Sequence, residues 1–162
     1  MSYLRSILFF TGMVVSAPII TLLGLLFFPF SFSVRYKVIS QWALFVIWWL
    51  KISCNLDYKV SGLEHLHGVK SAVIFSKHQS AWETLAFQKI FPPQVWVLKR
   101  SLLWIPFFGW GLALLTPVAI DRSAGRKALQ QVIQQGTDRL QAGIWVVIFP
   151  EGTRLAPGIR KK

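Results

Sequence analysis

The stretch Ser71–Ile90, S-A-V-I-F-S-K-H-Q-S-A-W-E-T-L-A-F-Q-K-I, predicts a strand, a loop and a helix in succession. Its apolar start, Ser71–Ser76, has the composition of a strand, and Ala81–Ile90 is compatible with a helix. This order places His78 in the loop and Glu83 in the first turns of the helix. Two residues five apart within one helix point about 140° away from each other, but a histidine that precedes the helix can fold back over the carboxylate. Glu83 would then accept a hydrogen bond from one ring nitrogen of His78, and the other nitrogen would be free to take a proton. The alternative for this segment alone is a histidine that caps the helix and a glutamate on a solvated face.

A second stretch far downstream favours the functional interpretation. Ile144–Phe149, I-W-V-V-I-F, is a continuous apolar run of the kind buried in α/β sheets. It continues directly into Pro150, Glu151 and Gly152. Ligands of α/β folds usually bind at the carboxyl edge of the sheet, and a glycine in this turn permits close approach of a ligand.

Two arginines follow predicted strand ends. Arg154 offers a bidentate fork for a phosphate, and Thr153 beside it offers a hydroxyl. Arg122 follows the predicted strand Pro117–Ile120 and can reach the same edge. Each arginine alone is more often a surface charge. Together with the histidine base, they predict an anionic substrate whose hydroxyl is the nucleophile.

The remaining pattern alternates short strands with helices, which predicts an α/β layered sheet-and-helix domain. Ser123 is a candidate N-cap for an amphipathic helix that ends near Gly143. His65 and His67 form an H-x-H pair, but no third ligand is near in sequence, so no metal site is predicted. The predicted strands are Leu56–Val60, Val69–Ser76, Val95–Leu98, Pro117–Ile120 and Ile144–Phe149.

Composition indicates a membrane protein. The chain has 162 residues, of which 54% are hydrophobic, and its net charge is +12. High hydropathy with positive charge fits an anionic membrane surface better than a nucleic acid, because most aromatic residues lie in uncharged runs. The single cysteine, Cys54, excludes an internal disulfide.

The N-terminal third predicts the anchor. Ser6–Val34 contains no charged residue, and Ile7–Phe28 is long enough to cross about 30 Å of hydrocarbon. Val38–Leu50 is short for a span, and a tilted, re-entrant or interfacial helix is the alternative. The excess of basic residues after the first helix places the rest of the chain in the cytoplasm. We therefore expect membrane-anchoring helices over 1–55 and a second domain over 56–162.

Three segments carry a resemblance to a known family. H-Q-S-A-W-E at 78–83 and F-P-E-G-T-R at 149–154, with K-R-S-L-L-W-I-P-F-F-G-W-G at 99–111 between them, resemble the lysophosphatidic acid acyltransferases of glycerolipid synthesis. The resemblance covers roughly Leu56–Gly158. Independently of the resemblance, the apolar run Ser101–Ile120 is broken by proline and glycine, and this pattern predicts a membrane-facing surface or the wall of an acyl-chain groove. A buried core helix is the alternative for that run.

The chain departs from the family pattern at several positions. Glu83 stands where the H-x-x-x-x-D motif has Asp, Thr116 stands where the middle motif has Gly, and Ser101 replaces an acidic residue. The family's fourth motif, an apolar strand with proline, is absent. We therefore expect a copy that lacks its C-terminal part, with the 157–162 tail leading toward a further strand.

The resemblance implies acyl transfer from acyl-CoA or acyl carrier protein to the sn-2 hydroxyl of 1-acyl-glycerol-3-phosphate, which gives phosphatidic acid. It implies that His78 is the base, oriented by Glu83, and that Arg122 and Arg154 hold the phosphate. Glu151, with Gly152 and Thr153 of the same turn, would contribute to substrate binding. No metal, cofactor or nucleic acid is implied.

The implied location is a membrane, with the bacterial inner membrane and a cytoplasmic active site as the expectation. Two alternatives remain open at this point. One is an acyltransferase for another glycerophosphate or lysophospholipid acceptor. The other is a non-catalytic, truncated membrane-bound homologue.

Overall fold

The computed structural model describes residues 2–156 and 158–159. It begins with two long helices, α1 and α2, and continues as alternating strands and helices with three short 3₁₀ turns at 63–66, 100–104 and 122–124. The elements are α1 (Ser2–Leu26), α2 (Phe32–Cys54), β1 (Val73–Phe75), α3 (Trp82–Ile90), β2 (Gln94–Lys99), α4 (Phe108–Leu114), β3 (Val118–Ile120), α5 (Arg126–Gln141) and β4 (Trp145–Ile148).

The four strands form one sheet in the order β1-β4-β2-β3, and every pair is parallel. The register pairs Val73 with Val146 and Val95 with Val146, so β4 lies between β1 and β2. The prediction of an α/β layered sheet-and-helix domain is confirmed, and the structure shows that its sheet is parallel. Because all strands run the same way, the loops that follow them emerge at one edge of the sheet.

Helices cover both faces of the sheet. Tyr36 and Ile39 of α2 pack with Trp96 and Val147 on one face, together with Leu114 and Leu115 at the end of α4. On the other face, Val132 and Leu140 of α5 pack against buried valines of the sheet. Leu129 and Ile133 of the same helix are exposed.

The two N-terminal helices form an antiparallel hairpin. The indole of Trp49 donates to the carbonyl of Leu8, and the indole of Trp42 donates to the hydroxyl of Ser16. α1 also packs against α4, so the hairpin lies directly on the sheet domain. By length and composition, Tyr3–Leu26 is apolar enough to cross a membrane.

Several predicted boundaries are wrong. Leu56–Val60 is not a strand, because it leaves α2 at the left-handed cap residue Asn55 and lies outside the sheet. The helix predicted over Val38–Leu50 runs from Phe32 to Cys54, since Arg35 and Lys37 are accommodated within its first turns.

Ser123 does not cap α5. Its N–H and its hydroxyl both donate to the Asp121 carboxylate in a 3₁₀ turn, and the helix begins after Gly125. The expectation that the 157–162 tail leads toward a further strand falls mostly on residues outside the described range.

Candidate active site

The sheet order brings the two predicted motifs together. Because β1 and β4 are neighbours, the loop that carries His78 lies beside the turn that follows β4. The N–H of Leu155 donates to the carbonyl of His78 at 2.9 Å. The Phe149 ring stacks on the imidazole with centroids 4.2 Å apart and planes 19° apart. The histidine is therefore held by both motifs at once.

Glu83 lies next to His78, but the predicted hydrogen bond between them is not formed. The distance from His78 Nδ1 to Glu83 Oε2 is 3.8 Å, which is an ion-pair distance and too long for a hydrogen bond. Both side chains are mostly buried, with 16% and 13% of their surface exposed. Nδ1 is buried without a hydrogen-bond partner among the described residues. Glu83 therefore acts on the ring through its charge in this structure.

The Glu83 carboxylate is occupied by the backbone of its own loop. It accepts hydrogen bonds from the N–H of Gln79, from the N–H of Ser80 and from the Ser80 hydroxyl, all at 3.0 Å. The Ser80 hydroxyl in turn accepts from the N–H of Trp82. This S-x-x-E arrangement resembles a capping box, except that the Ser80 hydroxyl accepts from the N–H of Trp82 and not from that of Glu83. It explains why a glutamate fits here, because its longer side chain reaches back to the amides before the helix.

Ser80 was missed as a site residue by the sequence reasoning. The signal was present, since Ser80-Ala-Trp-Glu83 has the capping-box spacing. The alternative interpretation of this segment, a histidine that caps the helix and a glutamate on a solvated face, is wrong on both points. Ser80 and Glu83, not His78, accept from the backbone N–H groups around the start of the helix, and Glu83 is mostly buried beside His78.

The pKa of His78 is lowered from its ordinary value of 6.5. Burial of the ring is the main cause, because it disfavours the charged imidazolium. The nearby negative charges of Glu83 and Glu151 raise the pKa, and the positive charges of Arg154 and Arg122 lower it. The ring is therefore neutral at neutral pH, which is the protonation state that a base requires.

Arg122 bridges from the end of β3 to the turn after β4. Its Nη1 donates a hydrogen bond to the carbonyl of Gly152. Gly152 has φ +64°, a left-handed conformation that a side chain would strain. This contact brings Arg122 to the edge where His78 lies, as the sequence predicts.

The other residues of the turn differ in their placement. Arg154 is exposed, and its charge reaches His78. Glu151 is partly buried, and its Oε2 lacks a hydrogen-bond partner among the described residues. Thr153 is exposed, and it does not line the cavity described next.

A cavity of about 530 Å³ opens beside these residues. His78, Arg122, Gly152 and Arg154 line one part of it. Most of the remaining wall is apolar and comes from α3, β2, the segment 102–112 and the N-terminal hairpin. The arrangement therefore joins a neutral histidine and two guanidinium groups to a large apolar space.

The N-terminal hairpin supplies part of the cavity wall, which the sequence reasoning did not predict. Met13, Ala17 and Pro18 of α1 and Trp42 of α2 line the cavity. The apolar run Ser101–Ile120 fits both of its predicted alternatives in part. Leu114 and Leu115 are buried, whereas Trp104 and Trp110 are exposed.

The histidine pair His65 and His67 lies outside this cavity. Nε2 of His65 lies 3.7 Å from a carboxylate oxygen of its neighbour Glu64, and both side chains are largely exposed. Within residues 2–156 and 158–159, no group of three or more histidine, cysteine or acidic residues is arranged to hold a metal.

The chain is similar in sequence to known acyltransferases. Residues 57–160 match the model of the Acyltransferase family. The chain is 45% identical over 96% of its length to a 1-acyl-sn-glycerol-3-phosphate acyltransferase of Pseudomonas aeruginosa, and the match covers 61% of that protein. It is 36% identical to a protein of the same name from Saccharomyces cerevisiae, over 65% of this chain and 35% of the relative.

The fold matches a solved structure. The crystal structure of the 1-acyl-sn-glycerophosphate acyltransferase PlsC from Thermotoga maritima superposes with a TM-score of 0.74 at 21% identity. The superposition covers 97% of this chain and 63% of that one. At this identity the likeness establishes the fold, including the layered sheet-and-helix domain preceded by the helical hairpin. The chain spans less than two thirds of the length of these relatives.

Proposed function

This chain belongs to the Acyltransferase family, and we propose that it transfers a fatty acyl group to the sn-2 hydroxyl of 1-acyl-glycerol-3-phosphate. The product would be phosphatidic acid, a precursor in phospholipid synthesis. The donor would be a thioester, either acyl-CoA or acyl carrier protein. The names of the Pseudomonas aeruginosa and Saccharomyces cerevisiae relatives support this choice of acceptor.

One observation carries the proposal. A neutral histidine and two arginines line the same apolar cavity. The acceptor has three matching parts, which are a hydroxyl to be deprotonated, a phosphate and an acyl chain. The positive side chains suit the phosphate, and the apolar wall suits a chain.

His78 is the proposed base. Its ring takes the proton of the sn-2 hydroxyl while the oxygen attacks the carbonyl carbon of the thioester. The C–S bond then breaks, and the departing thiolate takes the proton from the imidazolium. No acyl-enzyme intermediate is needed. Glu83 stabilises the imidazolium through its charge, because its carboxylate lies 3.8 Å from Nδ1.

Arg122 and Arg154 are the proposed phosphate ligands. Arg122 is tethered at the rim by its bond to the Gly152 carbonyl, and its other N–H groups remain available as donors. Glu151 would orient the glycerol or the turn. Gly152 would allow close approach of the substrate, and Thr153 would contribute at the exposed rim.

The hairpin is the proposed anchor. Residues 1–55 would hold the protein on the cytoplasmic side of a membrane, and in a bacterium this would be the inner membrane. Residues 56–162 would carry the chemistry, with the hairpin also contributing wall residues to the cavity. Substrate and product are both membrane lipids, so a site whose wall includes the anchor suits them.

An acceptor panel tests the proposal. Membranes that contain the full chain are supplied with palmitoyl-CoA or palmitoyl-acyl carrier protein and with 1-acyl-glycerol-3-phosphate, glycerol-3-phosphate or 1-acyl-glycerol-3-phosphocholine. We expect transfer to 1-acyl-glycerol-3-phosphate above the other acceptors. Faster transfer to either of the others would replace the proposed acceptor, and no transfer to any acceptor from either donor would refute the proposed activity of this chain.

A further inference from the structure

An unusual backbone conformation occurs at the cavity wall. Phe107 has φ +59° and ψ −61°, and the N–H of Phe108 donates to the carbonyl of Pro106 at 2.7 Å. This is a three-residue turn of the rare γ type, which is strained for a residue with a side chain. Strain of this kind persists only where the surrounding contacts hold it, and it occurs preferentially at functional sites. Phe107 lines the cavity.

A side chain of the N-terminal hairpin holds this turn. The Thr21 hydroxyl donates to the carbonyl of Phe107 at 3.1 Å, across 86 positions of sequence. Thr21 is only 3% exposed, although it belongs to a helix whose apolar side chains are largely exposed. A polar residue buried within a largely apolar helix is commonly there for a specific contact.

α4 packs against α1 at the same hydrogen bond, which joins the Thr21 hydroxyl to the Phe107 carbonyl. A Cβ on Gly111 would lie 3.0 Å from the Thr21 hydroxyl oxygen, so a larger residue there would crowd the threonine. The N–H of Gly111 also donates to the Phe107 carbonyl at 2.8 Å. This carbonyl therefore has two donors, one from its own helix and one from α1. Together they fix the position from which the Phe107 side chain departs.

We propose that Phe107 determines which acyl chains the cavity accepts, and that Thr21 is its positioning residue. The Thr21 hydroxyl holds the turn, the turn fixes the Phe107 ring as part of the cavity wall, and the ring limits the length of chain that fits. The inference rests on the proposed function only in assigning the cavity to an acyl chain.

A binding assay tests this without turnover. A fluorescent fatty acid is bound to the detergent-solubilised full chain and is displaced by saturated fatty acids that differ only in length. For the wild type we expect affinity to rise about fourfold per methylene up to a limiting length and then to stop rising, since each buried methylene contributes about 0.8 kcal/mol.

Variants test whether Phe107 and Thr21 set this limiting chain length. In Phe107→Ala the rise should continue to longer chains. Thr21→Val and Thr21→Ala, which remove the hydroxyl, should move the limit in the same direction, whereas Thr21→Ser should keep it. Thr11→Val is the matched control, because Thr11 is exposed on the same helix. The double variant Thr21→Val/Phe107→Ala should behave as Phe107→Ala does, because both changes act through one ring.

The outcomes separate this inference from the proposed function. An unchanged limit in Phe107→Ala would overturn the role of Phe107. A shifted limit in Phe107→Ala with none in Thr21→Val or Thr21→Ala would overturn the role of Thr21. If wild-type affinity did not depend on length, the cavity would not hold a chain and the inference would fall. A limit that shifts as expected, in a chain that shows no transfer to 1-acyl-glycerol-3-phosphate, would leave the inference standing and refute the proposed reaction.

Discussion

The loop after β1 and the turn after β4 meet at one edge of the sheet, yet they are built differently. In the first, Glu83 is surrounded by donors from its own loop, and His78 is packed under Phe149. In the second, Thr153 and Arg154 are exposed, and Glu151 keeps an unpartnered oxygen among the described residues. Under the proposed function, the base would be positioned before the substrate arrives, whereas the anion-binding residues would gain their partners only when the substrate binds.

Removing the base should have the largest effect. We expect His78→Ala to lower kcat by about 10²–10⁴-fold, the range that general base catalysis contributes. Membrane association should not change, since the exposed apolar surface of the hairpin is untouched. The measurement is acyl transfer by membranes that carry equal amounts of each variant. His65→Ala is the matched control because His65 is exposed and outside the cavity; equal losses in both variants would contradict the assignment.

Removing Arg154, at the exposed edge of the cavity, should weaken binding of the acceptor. Arg154→Ala should raise the acceptor KM by about 10–150-fold, the equivalent of a charge-assisted hydrogen bond of about 1.5–3 kcal/mol. The donor KM should stay the same. Arg126→Ala, at the exposed start of α5, is the control. The phosphate role is wrong if transfer to 1-acylglycerol, which has no phosphate, falls as much as transfer to 1-acyl-glycerol-3-phosphate.

Replacing Glu83 by the shorter Asp should have a moderate effect on activity and on stability. Glu83→Asp keeps the charge but weakens the capping box, which contributes about 1 kcal/mol. We therefore expect activity within about fivefold of the wild type and a lower melting temperature. Glu64→Asp, on an exposed residue, is the control for both assays. Complete loss of activity would mean that Glu83 has a role that the shorter side chain cannot reproduce.

The smallest expected effect is a shift in the pH dependence of acyl transfer. Activity should rise with pH as His78 loses its proton, and the midpoint should lie below 6.5 because burial lowers the pKa of His78. Glu83→Gln removes a negative charge that raises this pKa, so the midpoint should move further down. The readout is kcat/KM against pH. A midpoint that moves upward would show that the Glu83 charge does not act on the base.

The same contrast explains what the sequence could predict. The strand, loop and helix around His78 and Glu83 could be predicted, because each of them follows from the pattern of neighbouring residues. The detail of their contact did not follow, because the amides of Gln79 and Ser80 compete for the same carboxylate. The S-x-x-E spacing at 80–83 indicates that Glu83 can bond to these amides, but it does not give the distance between the carboxylate and the imidazole.

Other features depend on contacts between residues that are far apart in the sequence, and a local sequence pattern does not predict such contacts. Leu56–Val60 has the composition of a strand, but no neighbouring strand is available to it in the described structure. The apolar run of α1 predicts an anchor, and its length and composition fit that role. Its contribution to the cavity wall depends on packing against α4, which periodicity within α1 does not reveal.

The most direct test of the account is the structure of the chain with 1-acyl-glycerol-3-phosphate bound and no donor present. We predict that the phosphate lies between the guanidinium groups of Arg122 and Arg154, with the sn-2 hydroxyl within hydrogen-bond distance of the His78 ring. A phosphate bound elsewhere, or a hydroxyl remote from His78, would contradict the claim that base and anion site act on one substrate.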